Sequence, residues 1–329
     1  MQTTERFPFI SDTFEEVALH LFRYQAQNNP IYAAWLQHLG VDQDAQSAIQ
    51  SVMDIPFLPI ETFKTHEVKT GNFTPGAIYT SSGTTGQVPS RHLIADPDAY
   101  LRNAQACFEH FYGPVDQYAW LCLLPSYMER EGSSLIAMAD HFVKQSPADE
   151  SGFFLKGLDE LRYRLDTLEL NRVPTILLGV TFALLDWAES LEKPLALKST
   201  LIMETGGMKG RRVEPIRASV HETLTQAFGV DRIHSEYGMT ELMSQAYSYG
   251  EGRYIPPPQM RVLPRSPEAP LSLGQIESHA ALNIIDLANA DACAFIATSD
   301  LGKVFENGSF EVLGRIEGSD LRGCSLMTV

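Results

Sequence analysis

Apolar positions recur at helical spacing near the start of the chain. Phe14, Val17, Ala18, Leu21 and Phe22 fall on one face, and Asp12 stands where an N-cap is expected. Residues 1–75 therefore read as a helical N-terminal segment that ends in the proline-punctuated connection DIPFLPIETF. The pattern then changes to short apolar runs alternating with amphipathic stretches. AIYTS, YAWLCLLP, VPTILLGV, STLIMETGG and DRIHSEYG read as strands. ADPDAYLRNAQACFEHF, TFALLDWAESL (with Thr181 as its cap) and VEPIRASVHETLTQAF read as helices. In the last of these, Val213, Ile216, Val220 and Leu224 lie on one side. Strands alternating with helices predict an α/β fold with a largely parallel sheet over residues 76–250. After RYIPPPQ the helices stop. GQIESHAALNIIDL, ACAFIATSDLGKVF and SFEVLGRIEG predict a β-rich subdomain over 251–329. All three parts are expected to belong to one large domain.

Composition narrows the function classes. The 329 residues are 44% hydrophobic and 20% charged, an ordinary globular balance that excludes disorder. The net charge of −16 gives no general attraction for nucleic acid or anionic membrane. A bound nucleotide must be held by local donors. No apolar run is long enough to span a bilayer, and the start MQTTERFPFISDTFEEV lacks the order of a signal peptide. The four cysteines show no metal-ligand spacing. Reduced thiols in a cytoplasmic protein are the expectation.

Four segments carry candidate chemistry. Thr80-Ser81-Ser82-Gly83-Thr84-Thr85-Gly86 is a run of small residues whose backbone N–H groups can converge on phosphate oxygens, with hydroxyls as extra donors. It is not a Walker A loop, and taken alone it suits an ordinary turn equally well. Glu204-Thr205-Gly206-Gly207-Met208-Lys209 follows a buried strand, and its paired glycines admit a flat ligand or simply turn the chain. His234-Ser235-Glu236-Tyr237-Gly238-Met239-Thr240-Glu241 offers an aromatic ring for a base and, at Glu241, a hard oxygen ligand for Mg²⁺. Without context Glu241 reads as a helix-start carboxylate interacting with the dipole. Thr298-Ser299-Asp300-Leu301-Gly302 and Gly314-Arg315-Ile316-Glu317-Gly318 add a carboxylate suited to ribose hydroxyls and an arginine suited to ribose or phosphate. An Asp turn and a surface arginine would read the same way.

Taken together and in order, these segments resemble the adenylate-forming superfamily of acyl-CoA synthetases and adenylation domains, over roughly residues 76–323. SSGTTG is similar to the family's phosphate loop, EYGMTE to its YGxTE motif, TSDLG to its TGDL motif, and GRIEGSDLRG to its GR…RG segment. The resemblance implies the large N-terminal domain of that family, with ATP and Mg²⁺ as cofactors and a carboxylic acid as substrate. It implies that Ser81, Ser82, Gly83, Thr84, Thr85 and Gly86 hold the ATP phosphates, while Gly206, Gly207 and Tyr237 surround adenine. It further implies Thr240 at the α-phosphate, Glu241 at the metal, Asp300 on the ribose and Arg315 near ribose or phosphate. The sequence departs from the pattern where Pro-Lys usually follows the phosphate loop: here Arg91 stands one residue late. The family's C-terminal lid and its catalytic lysine have no counterpart before Val329.

A closer resemblance is to LuxE-like acyl-protein synthetases, carried by IPFLPIETFK, LLPSYMEREGSSL and GRIEGSDLRGCSLM over nearly the whole chain. It implies a fatty acid substrate, transfer of the acyl group to Cys324, and delivery to an acyl-reductase partner. Cys107, Cys122 and Cys293 read as core. Glu129-Arg130-Glu131 reads as a solvated loop or a gate to the acyl pocket, and Trp120, Phe142 and Tyr127 as core or pocket wall. A free-standing acyl- or aryl-CoA ligase of the phenylacetate type is the alternative, and a non-catalytic nucleotide-binding remnant a second.

Overall fold

The computed structural model describes residues 13–81, 88–124, 132–206 and 217–316. The N-terminal helix Phe14–Asn28 starts one residue later than its sequence suggests. Thr13, rather than Asp12, is the N-cap, and it exchanges hydrogen bonds with Glu16 in a capping box. The box suits the local order Thr-x-x-Glu. Helices Pro30–His38 and Gln43–Ala48 follow, capped by the side chains of Asn29 and Asp42. The proline-rich connection contains β1 (Leu58–Pro59) and the short helix Thr62–Thr65.

β2 (Ala77–Thr80) and β3 (Arg91–Ile94) form an antiparallel pair. Helix Pro97–Tyr112, capped by Asp96, leads to β4 (Ala119–Leu123). Helix Ser134–Gln145, β5 (Gly152–Phe153), helix Leu158–Leu170 and β6 (Thr175–Val180) come next. Helix Thr181–Ser190 precedes β7 (Thr200–Thr205), and helix Arg217–Phe228 precedes β8 (His234–Tyr237). β9 (Ala246–Ser248) closes the central sheet, whose order is β5-β4-β6-β7-β8-β9. All neighbours in it are parallel except β8 and β9. β4 and β6 are buried along their whole length, as expected of strands covered by helices on both faces.

The remaining strands are β10 (Arg253–Tyr254), β11 (Met260–Arg265), β12 (Ala280–Asp286), β13 (Phe295–Val304) and β14 (Phe310–Arg315). They form an antiparallel sheet in the order β10-β14-β13-β12-β11, and β1 joins it parallel to β13. A bulge lies between Leu301 and Gly302. A Cβ at Gly302 would stand 2.1 Å from the Glu311 carbonyl oxygen, so this position admits glycine only.

Two apolar cores result. One fills the central sheet and its helices around Trp120, Phe108, Phe142 and Leu177. The other joins the N-terminal helices to the second sheet through Phe22, Tyr32 and Phe295, whose rings pack edge-on and stacked. The predicted α/β architecture with a β-rich C-terminal part is thus what the chain adopts. Trp120 and Phe142 are buried core, as are Cys107, Cys122 and Cys293. Burial pushes the Cys107 and Cys293 thiols up to about 12, which makes them inert at neutral pH. Thr181 does not cap its helix. Val180 takes that place, and the Thr181 hydroxyl donates instead to Glu204 Oε2 at 2.6 Å and to the Gly206 carbonyl at 2.9 Å.

Candidate active site

Open parallel sheets bind ligands beyond the carboxyl ends of their strands, where strand-end side chains and helix starts converge. Here β4, β6, β7 and β8 all end on that edge. Gly206 follows β7 with φ +71°, a left-handed conformation that glycine adopts without strain. Beside it, Tyr237 ends β8.

Strand alternation sends Tyr237 and Glu236 to opposite faces. The Tyr237 ring packs between Tyr254 and Phe310 in the second core, with centroids 5.6 Å and 5.2 Å away. Its hydroxyl donates to Asp300 Oδ2 at 2.8 Å. Asp300 and Arg315 are direct cross-strand partners on β13 and β14, and Arg315 Nε donates to Asp300 Oδ1 at 3.2 Å. Asp300 is buried, whereas the Arg315 side chain is 66% exposed and free to reach a ligand with its remaining donors. The Asp300 backbone N–H donates to Thr298 Oγ1, which fixes the turn of the strand.

Glu241 is buried just after this strand end. Burial raises its carboxyl above the ordinary value; the Ser90 hydroxyl and the Arg315 charge act in the opposite direction, and Asp300 adds to the rise. Glu241, Arg315 and Asp300 therefore share one electrostatic environment. Two residues with no signal in the motifs hold its backbone. His92 of β3 bonds the Thr240 carbonyl through Nδ1 at 2.8 Å and meets Asn289 Oδ1 through Nε2 at 3.1 Å. Asn289 Nδ2 donates to the Glu241 carbonyl at 2.8 Å. Burial lowers the His92 pKa to about 4, while the bonds to Thr240 and Asn289 act in the opposite direction.

The same hairpin carries Ser81 and Ser90, which flank the segment 82–87. Ser81 and Ser90 close its base: Ser81 N–H donates to the Ser90 carbonyl at 3.1 Å, and Ser90 N–H donates to Ser81 Oγ at 2.9 Å. Arg91 is ion-paired with Glu67 at 4.0 Å on the surface. Ser82, Gly83, Thr84, Thr85, Gly86, Tyr127, Glu129, Arg130, Glu131, Gly207 and Cys324 lie outside the described residues. Ser81, Gly206, Tyr237, Thr240, Glu241, Asp300 and Arg315 are thus tied to one strand edge through β2–β3, β7–β8 and β13–β14.

A second polar group lies behind Gly206. Glu204 Oε1 accepts from Arg217 Nη1 at 2.8 Å, and His221 stands 3.6 Å away. Burial acts to raise the Glu204 carboxyl, but His221, the Arg217 charge and the hydroxyls of Thr181 and Ser235 hold it below its ordinary value. Glu204, Glu236, His92 and Asn289 were legible only as strand or loop residues, because each acquires its partners through long-range pairing.

No group of three or more His, Cys, Asp and Glu side chains forms a metal cluster among the described residues. No helix among the described residues is long and apolar enough to cross a membrane.

No family model and no curated protein matches the chain. Solved structures do. ATP-bound MatB from Rhodopseudomonas palustris is 17% identical, with a TM-score of 0.52 over 83% of this chain and 52% of its own. A 2-hydroxyisobutyryl-CoA ligase, solved in an open conformation with 2-HIB-AMP and CoA, is 13% identical, with a TM-score of 0.63 over 92% and 74%. O-succinylbenzoate coenzyme A synthetase (MenE) from Bacillus subtilis, with ATP and magnesium, is 18% identical, with a TM-score of 0.52 over 74% and 51%. The chain spans about half the length of MatB and MenE. At these identities the likeness concerns architecture: the chain has the fold of the adenylate-forming CoA ligases.

Proposed function

We propose that this protein activates a carboxylic acid as an acyl-adenylate at the expense of ATP. The observation that carries the reading is the hydrogen-bonded set Tyr237–Asp300–Arg315, electrostatically joined to Glu241 at the carboxyl end of β8. Asp300 would accept the ribose hydroxyls, and Gly206 and Tyr237 would border adenine. Ser81, Ser82, Gly83, Thr84, Thr85 and Gly86 would hold the phosphates, with Thr240 at the α-phosphate. Glu241 would hold Mg²⁺, which neutralises phosphate charge when bound. A substrate carboxylate oxygen attacks the α-phosphorus as the bond to pyrophosphate breaks. The chain's part is positioning and charge stabilisation, with Arg315 facing the charge that develops. The ATP-bound, AMP-ester-bound and magnesium-bound states of the solved ligases support this reading.

The finer reading is an acyl-protein synthetase acting on a fatty acid. The Cys324 thiolate attacks the acyl carbonyl, AMP leaves, and the thioester is handed to an acyl-reductase partner. Incubation with ATP and radiolabelled acid tests both stages. ATP–pyrophosphate exchange and a protein-bound label that a Cys324→Ser variant lacks are the expected results. Exchange with unchanged labelling of Cys324→Ser removes the carrier step. CoA-dependent AMP release without label points to a CoA ligase. No exchange with any acid removes the activation step.

A further inference from the structure

The polar group behind Gly206 has no part in the chemistry proposed above, yet it stands on the same face of the sheet as Tyr237. β7 and β8 pair in parallel, with Glu204 level with Ser235 and Thr205 level with Glu236. Alternation puts Glu204, Ser235 and Tyr237 on one face and Thr205 with Glu236 on the other, where the Thr205 hydroxyl bonds the Glu236 carboxylate. Helix Arg217–Phe228 presents Arg217 and His221 one turn apart, at i and i+4, so that both reach Glu204.

The buried Glu204 carboxylate divides its two oxygens between different elements. Oε2 accepts from Thr181 Oγ1 at 2.6 Å, and the same hydroxyl stands 2.9 Å from the Gly206 carbonyl. Oε1 accepts from Arg217 Nη1 at 2.8 Å. Arg217 Nη1 also donates to the Tyr254 hydroxyl, and the guanidinium lies 5.2 Å from the centre of the Tyr254 ring. Tyr254 packs on Tyr237, with ring centres 5.6 Å apart. One continuous chain of contacts therefore runs from Gly206 through Thr181, Glu204, Arg217 and Tyr254 to Tyr237.

The backbone is shaped around the arginine stem. Gly252 has φ +67°, and a Cβ there would stand 2.5 Å from Arg217 Cδ. A glycine meets both the left-handed conformation and the close approach. A charge pair withdrawn from water gains little net stability over an apolar pair of the same volume, because desolvation offsets the attraction. Directed bonds supply geometry instead. The planar guanidinium fixes its donor directions, so an arginine that bonds acceptors on β7 and β10 at once fixes their separation.

We propose that Glu204 and Arg217 are positioning residues for the nucleotide: the pair sets the spacing between Gly206 and Tyr237, the two residues read as bordering adenine. Neither touches the reacting atoms. This inference rests on the adenylation reading and concerns the base end of the same site.

ATP–pyrophosphate exchange, run with an acid that the parent protein activates, tests it, because ATP and pyrophosphate have separate KM values and only ATP carries the base. Tyr254→Phe keeps the ring and removes the acceptor of Arg217. Arg217→Met keeps the length of the stem and removes the donors. The KM for ATP is expected to rise by about threefold in the first and about tenfold in the second, the scale of one and of two or more hydrogen bonds lost. The KM for pyrophosphate and kcat should stay within about twofold of the parent, since the phosphate end is held by other residues. Arg217→Met strips a buried carboxylate of its cation and can fail to fold; Tyr254→Phe leaves the ion pair in place and keeps the test open. An unchanged KM for ATP in Tyr254→Phe, even with a lowered urea midpoint, marks a merely structural bond and overturns the inference. So does a KM for ATP that rises only in step with that for pyrophosphate. Both results leave adenylation standing. A parent protein silent with every acid overturns both.

Discussion

The Tyr237 hydroxyl donates to Asp300 at 2.8 Å, a bond that joins the end of the central sheet to the middle of the C-terminal sheet across 63 residues of sequence. It places an aromatic ring and a buried carboxylate in one wall. Tyr237→Phe keeps the ring and removes the donor. A hydrogen bond to a carboxylate is worth about 1.5–3 kcal/mol, and Arg315 still serves Asp300, so a stability loss of about 1–2 kcal/mol is expected in urea denaturation. ATP affinity falls with it, because the carboxylate that would meet the ribose loses its orientation.

Gly302 fixes the register that sets Asp300 opposite Arg315. Gly302→Ala drives a Cβ into the backbone carbonyl of Glu311, which cannot yield as a side-chain tip can. Overpacking of this kind costs about 1–3 kcal/mol. Denaturant midpoints should fall, and nucleotide affinity should fall beyond what the stability loss explains.

On the proposed function, Glu241 would give nucleotide binding a pH dependence. Its carboxyl is raised by burial, and only the ionised form suits Mg²⁺. Magnesium-dependent ATP binding should weaken as pH drops through that raised value, and ATP binding without magnesium should change less. Glu241→Gln is expected to flatten the magnesium-dependent part in calorimetric titrations at different pH.

Two buried groups make stability depend on pH in opposite senses. His92 has its pKa lowered from 6.5 to about 4, so the unfolded chain binds more protons in that window and stability is lost as pH falls through it. Glu236 has its pKa raised from 4.5 to about 7, so the folded chain binds more protons and stability is lost as pH rises through that window. Glu236→Gln should therefore stabilise the protein at pH 8 far more than at pH 4. His92→Asn should remove the loss on acidification, on top of a pH-independent cost for the contacts to Thr240 and Asn289. Urea denaturation across pH measures both.

Much of the architecture was legible because local pattern and global fold agree. The runs YAWLCLLP and VPTILLGV are buried strands because both faces are covered, and ADPDAYLRNAQACFEHF forms the helix its pattern predicts, capped by Asp96. The helix caps were less legible. Thr13 prevailed over Asp12 through its reciprocal partner Glu16, and Thr181 was drawn off by the buried Glu204 carboxylate. The candidate residues of the site were named through the family resemblance. What holds them could not be, because His92 meets Thr240 from 148 residues away and Asn289 meets Glu241 from 48. Glu236 carried no signal either. Inside EYGMTE it looks like one more strand residue, and only the cross-strand register with Tyr247 sets it beside Gly238 and Gln245.

Calorimetric titration of ATP into the protein with Mg²⁺, repeated with Asp300→Ala, tests the nucleotide site most directly. One ATP should bind per chain, and removal of the carboxylate proposed to meet the ribose should weaken it by about tenfold or more, the equivalent of about 1.4 kcal/mol. A folded protein that takes up no adenine nucleotide, or an Asp300→Ala variant that binds as tightly as the parent, would contradict the assignment.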